Sequence, residues 1–143
     1  MNCPELARRL EEEGCKPSSY AIGNSGGASD AYCLVLQAKQ WQVFYTERGR
    51  QGPPIFSSER EDEACEFFLQ HLLSLQHDHC VGLFRSQQRA EALSTQLQEL
   101  GLSPWQDQIP FGGPQSPRYR VFVSGKAIFV AQSHFPELPL KDE

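Results

Sequence analysis

No apolar run in the 143-residue chain approaches the roughly 18 residues that a membrane-spanning helix needs. The first residues, MNCPELARRLEEEG, have no apolar centre of the kind a secretory leader carries, so the expectation is a cytoplasmic protein with no membrane association. Cysteine is poorly placed for cross-linking. There are five, an odd count, and none form C-x-x-C, which points to free thiols in a reducing compartment. Positive charge is also short. Lys and Arg number 13 against 18 Asp and Glu, giving a net charge of −5. That balance argues against nonspecific nucleic-acid binding and suits a partner with a basic surface. Catalytic signatures are missing too. There is no G-x-S-x-G, and the glycine-rich stretches at 23–27 and 112–113 have neither phosphate-loop spacing nor a Lys-Ser/Thr pair. No catalytic residue and no cofactor is therefore expected.

What is present is the composition of an ordinary folded domain. Hydrophobic residues make up 39% and charged residues 22%, and the length fits a single domain, 1–143. The strongest local pattern spans 31–75. Residues 32–36 and 41–46 are rich in β-branched and aromatic side chains and read as two strands. Trp41, Val43 and Tyr45 share one face, while Gln42, Phe44 and Thr46 share the other. Phe44 and the run Cys33-Leu34-Val35-Leu36 predict partial cover on both faces. The turn at 37–40 contains neither Gly nor Asn, which leaves its type open. Gly49, Gly52, Pro53 and Pro54 are read as ending the second strand in a loop. Ser58 and Glu61 have capping-box spacing for a helix over 58–76. Ala64, Phe67, Phe68, His71, Leu72 and Leu75 form its apolar face. Glu59, Glu61, Asp62 and Glu63 crowd its start, where the helix dipole favours negative charge.

Elsewhere the pattern predicts a helix over 4–13 stopped by Gly14, a short strand over 18–22, and a Gly/Ser loop over 24–30. A strand follows at 80–84, then a helix capped by Ser86 with Ala90, Leu93, Leu97 and Leu100 on one face and Gly101 at its end. A short strand at 108–111, a loop at 112–117 and a hairpin of strands 118–123 and 127–132 complete the core. The tail, with Pro136 and Pro139, is read as irregular. The two halves match at one constant offset. Leu6 pairs with Leu93, Leu10 with Leu97, Gly14 with Gly101, Pro17 with Pro104, Gly26 with Gly113, Tyr32 with Tyr119 and Val43 with Val130. This predicts an α+β fold of two α-β-β-β pseudo-repeats, about 3–56 and 86–132. They would form a largely antiparallel sheet with packed helices, linked by helix 58–76 and strand 80–84.

His77-Asp78-His79-Cys80 is the one dense run of metal-capable residues. A structural zinc site needs four ligands, usually from two separated pairs, and no second pair is evident, so no metal is expected. Cys33, Cys65 and Cys80 read as small core residues. The carboxylates of 59–66 suit a solvated face. The segment Glu47-Arg48-Gly49-Arg50-Gln51-Gly52 is either an exposed connector or a recognition loop held on a rigid scaffold. Tyr45 at its base, and Trp105, are candidates for interface anchors or for core.

The runs AYCLVLQAKQWQVFYTERGRQ (31–51), FSSEREDEACEFFLQHLL (56–73), VGLFRSQQRAEALSTQLQELGLSPW (81–105) and SPRYRVFV (116–123) resemble small bacterial immunity proteins of polymorphic toxin systems. The similar pieces are W-x-V-F-Y-x-E-R-G, D-E-A-C-E-F-F and Y-R-V-F-V. The resemblance implies a cytosolic, non-enzymatic protein that binds a cognate toxin domain and blocks it. The resemblance transfers no residue role; the expected partner-binding residues, taken from the exposed loop and the acidic helix start, are Glu47, Arg48, Arg50, Glu59, Glu61, Asp62 and Glu63, and the net negative charge argues against a nucleic-acid partner. Alternatives are a ligand-binding domain or enzyme with a cleft between the repeats, or an adaptor module. The spacing V-G-x-F-x-S-x-x-x-A-x-x-L-x-x-x-L-x-x-x-G from Val81 to Gly101 is also similar to peptidoglycan-binding SPOR-type domains. Such a domain needs a second helix after Val123, where a strand is read instead, and a secretory leader, so the immunity reading is preferred.

Overall fold

The computed structural model describes residues 1–24 and 29–142. Residues 25–28 of the expected Gly/Ser loop, and with them Gly26 of the repeat, lie outside the described residues. The described residues form four α-helices and two four-stranded mixed sheets, an α+β architecture. The chain divides into two compact units, Met1–Gln76 and His77–Glu143.

In the first unit, α1 (Cys3–Glu12) is capped by Asn2, whose side chain accepts from the Glu5 N–H at 3.0 Å. A short 3₁₀ turn (Pro17–Ser19) leads into β1 (Tyr20–Ile22). β2 (Ala31–Gln37) and β3 (Gln40–Glu47) form the expected hairpin. Its turn is Ala38-Lys39, both at positive φ (52° and 65°), the backbone of a type I′ turn built without glycine. The expected loop after β3 is instead a strand, β4 (Arg50–Ser58), reached through Arg48-Gly49, also both at positive φ. The prolines are tolerated because β4 is the edge of the sheet β1-β2-β3-β4, where a missing N–H disrupts little, and because the pairing is interrupted there by register shifts. β1 runs parallel to β2, and the other pairs are antiparallel.

α2 (Glu61–Leu73) starts later than the capping box implied. Ser58 Oγ donates to Glu63 at 2.6 Å and accepts from the Arg60 N–H, so Arg60 takes the N-cap position with no side-chain cap. The apolar face of α2 buries Ala64, Cys65, Phe68, Leu69 and Leu72 against Leu6 and Leu10 of α1 and Leu34 and Val43 of the sheet. Trp41 packs at the edge of this core, as its strand face predicts. Phe44, Cys33 and Val35 form a smaller cluster on the opposite face, so the sheet is covered on both sides.

In the second unit, β5 (Asp78–Phe84) begins before the expected strand at 80–84 and takes in Asp78 and His79. α3 (Gln87–Glu99) is capped by Ser86 and buries Ala90, Leu93 and Leu97. β6 (Trp105–Pro110) and β7 (Pro117–Ser124) follow. The expected strand at 127–132 is a helix, α4 (Ala127–His134). β7 is already hydrogen-bonded on both edges, to β6 and to β5, so no edge remains for a hairpin partner. Packing of Ile128 and Ala131 on the core then outweighs the strand propensity of Ile-Phe-Val. The tail is not wholly irregular. β8 (Leu140–Lys141) pairs parallel with β5, giving the order β6-β7-β5-β8.

The pseudo-repeat is not confirmed. Helix, first strand and second strand recur in the same order at the constant offset. However, β1 is parallel to β2 where β6 is antiparallel to β7, and α4 stands where β3 would recur.

Two measurements follow from these contacts. Phe68→Ala is expected to lower the unfolding free energy by about 3–5 kcal/mol, as for a buried aromatic ring. Leu36→Ala, at an exposed position, should cost less than about 0.5 kcal/mol. Urea midpoints showing equal losses would contradict the assigned core. The Asp142 carboxylate accepts the N–H groups of Arg85 (3.0 Å) and Ser86 (3.0 Å). These bonds hold its pKa below the ordinary carboxylate value. A depressed folded pKa gives stability that is present above the unfolded value and is lost as pH falls through the folded one. The difference in melting temperature between the native chain and Asp142→Asn should therefore be largest near neutrality and vanish in acid. A difference that grows on acidification would refute the tether.

Candidate functional site

The hairpin joining β3 to β4 ends in a concavity of about 710 Å³ lined by Tyr45, Glu47, Arg48, Arg50, Gln51 and Ile55, among others. Its shape comes from a bulge. Pairing runs from Phe44↔Pro54 to Thr46↔Gln51, so the ladder steps past Tyr45 on one strand and more residues on the other. Gly52 lies so close to β3 that a Cβ there would sit 2.8 Å from the Tyr45 carbonyl oxygen, which makes glycine the residue this approach admits. Gln37 and Gln51 exchange side-chain amide hydrogen bonds of 3.2 and 3.1 Å, fixing the base of the hairpin end to β2.

Tyr45 is the outermost member of a series of aromatic contacts. Phe56 stacks on Phe67 at 4.4 Å, His71 lies edge-on to Tyr32 at 4.5 Å, and Tyr32 lies edge-on to Tyr45 at 4.8 Å. The ring is therefore positioned from the core outward while remaining 36% exposed. Partial loss of water, together with Asp30, Tyr32 and Glu47, pushes its phenol pKa up, so it stays a neutral hydrogen-bonding group near neutrality. Ile55, 46% exposed, adds apolar surface. Among the described residues, Glu47, Arg48 and Arg50 are exposed and make no ion pair, so their charges are available to a partner.

The acidic start of α2 is different. Asp62 is held by Arg60 at 2.8 Å, which lowers its pKa. Glu63 accepts from Ser58, and Glu61 accepts from the Cys3 N–H at 3.1 Å. Glu59 is the one member of the four without a partner among the described residues. The structure thus gathers Glu47, Arg48 and Arg50 into one concave site. It places Glu61, Asp62 and Glu63 in contacts that start the helix and tie it to α1.

The chain matches no protein family, no curated protein and no solved structure. The geometry of the chain itself must carry the functional reading.

The second unit presents aromatic and charged groups on the sheet face opposite α3. Trp105 stacks on Phe122 at 4.3 Å and donates to Asp78 at 3.0 Å, and Ser124 Oγ also donates to Asp78. Arg120 lies over Phe122 at 4.9 Å and is paired with Asp107 at 2.7 Å. Trp105 is 39% exposed, so it belongs to a surface and not to the interior. Asp78 makes these bonds from the first position of β5, which takes in Asp78, His79 and Cys80.

A different group of metal-capable atoms comes together in the first unit. The ligand atoms of Cys3, Glu61 and Cys65 all lie within 4.8 Å of one another. Burial, followed by the neighbouring Cys65, pushes the Cys3 thiol up to about 12. All five cysteines are free. Sequence spacing gave no sign of this cluster, because Cys3 and Cys65 meet only through the packing of α1 on α2.

Proposed function

We propose that the chain is a protein-binding module that neutralises a cognate toxin domain without catalysis, and that the β3–β4 hairpin end is its contact surface. The observation that carries this is the concave hairpin end itself. It holds an exposed tyrosine set by its contact with Tyr32 and three charged side chains without ion pairs among the described residues, on a two-strand frame. Tyr and Arg are the residues that dominate binding energy when they are enclosed by a partner. A frame that barely moves on binding loses little entropy. The partner's basic surface, expected from net charge, would meet Glu47, while Arg48 and Arg50 would take its carboxylates or carbonyls.

The test begins with a pull-down from the source cell, from which a toxin domain is expected to co-purify, and measures the chain's association with it. Tyr45→Ala combined with Arg48→Glu and Arg50→Glu should weaken binding by at least about 2 kcal/mol while leaving the circular dichroism spectrum unchanged. Glu47→Lys should mainly slow association and change its salt dependence. Unchanged affinity in the triple variant would rule out the hairpin end.

One observation favours a second reading for the second unit. The likeness of 81–101 to SPOR-type domains calls for a helix after Val123, and α4 stands there, within the order β5-α3-β6-β7-α4-β8. On this reading the face carrying Trp105 and Phe122 would stack against sugar rings, with Arg120 and Asp107 as polar partners. Co-sedimentation with purified peptidoglycan sacculi that is lost in Trp105→Ala would support it. Absence of sedimentation by the native chain would remove it.

A further inference from the structure

Glu61 and Cys65 are one turn apart on α2 and so project from the same side of that helix. Cys3 is the first residue of α1, which packs against α2 through Leu6 and Leu10. The Cys3 N–H bonds to Glu61 Oε2 at 3.1 Å, which holds the carboxylate beside both thiols. Two sulfur atoms and one carboxylate oxygen, mutually within 4.8 Å, therefore converge from two helices whose relative position is fixed by the core.

The size of this triangle matters. Zinc bonds sulfur at about 2.3 Å and carboxylate oxygen at about 2.0–2.2 Å, so the edges of a tetrahedral site measure about 3.3–3.8 Å. The three donors, within 4.8 Å of one another, would reach those edges by rotation of their side chains. Cys65 is buried, whereas Cys3 and Glu61 are half-exposed, so the cluster reaches solvent on one side. A fourth position is thus left for water, the arrangement of three protein ligands and one open site that zinc accepts. Two thiolates with one carboxylate also select against magnesium and calcium, which take oxygen ligands.

We propose that Cys3, Cys65 and Glu61 bind one zinc ion that clamps the start of α1 to α2. On binding, the two thiol protons pass to solvent and two zinc–sulfur bonds and one zinc–oxygen bond form. No electron transfer is involved. The bound ion stabilises the first unit, because it binds the folded arrangement and not the separated helices.

The test uses the full chain, purified under reducing conditions and freed of metal, titrated with cobalt(II) as a spectroscopic stand-in. The expected result is a thiolate-to-cobalt charge-transfer absorption and the visible bands of tetrahedral cobalt, saturating at one equivalent and abolished by added zinc. Cys3→Ser, at a half-exposed helix start, should remove the charge-transfer band or weaken it severely with the fold retained. Glu61→Gln should weaken binding by about tenfold or more. Cys33→Ser and Cys80→Ser should leave the titration as it is. Zinc should raise the melting temperature of the native chain but not that of Cys3→Ser. The proposal is overturned if no cobalt spectrum appears at one equivalent, or if Cys3→Ser binds as tightly as the native chain.

Discussion

Phe68, Leu69 and Leu72 of α2 lie fully buried between α1 and the β2–β3 hairpin, and the rest of the first unit takes its position from that contact. Burying these side chains removes apolar surface from water at roughly 25 cal/mol per Å², the dominant favourable term in a unit of this size. The same helix carries Phe67 and His71, which continue the aromatic contacts through Tyr32 to Tyr45. It also carries Glu61 and Cys65, which meet Cys3 because α1 packs where it does. The candidate partner surface and the candidate metal site are both consequences of how α2 seats on the sheet.

Elements with a clear period were legible in the sequence. The recurrence of Ala64, Phe68 and Leu72 fixed the buried face of α2, and Ser86 and Gly101 marked the start and stop of α3. The alternation in β3 placed Val43 on the helix side and Phe44 on the other, where each is found. Two segments were misread for one reason, the pairing available to each strand. Residues 50–58 looked like a breaker-rich loop, yet an edge position and a bulge accommodate Pro53 and Pro54. Residues 127–132 looked like a strand, yet both edges of β7 were occupied. Edge availability depends on the whole sheet and leaves no local trace.

The candidate site was legible only in part. Glu47, Arg48 and Arg50 stood out as a polar segment between two strong elements, and the fold makes them the rim of a concavity. The acidic group at 59–63 also stood out, but charge density alone could not show that Asp62 would pair with Arg60 or that Glu61 would bond the Cys3 N–H. Side-chain partners separate a charge that builds the fold from a charge offered to another molecule. No helix among the described residues is long and apolar enough to cross a membrane, so the exposed Tyr45, Ile55 and Trp105 are not explained by a helical span.

The central claim is that the β3–β4 hairpin end, rather than the acidic helix start or the second unit, meets the partner. Amide hydrogen exchange of the chain alone and in complex with the proposed toxin partner measures this directly, residue by residue. The account requires slowed exchange concentrated at residues 45–55 with the second unit unchanged. Protection confined to residues 59–63, or to the strands of the second unit, would contradict it.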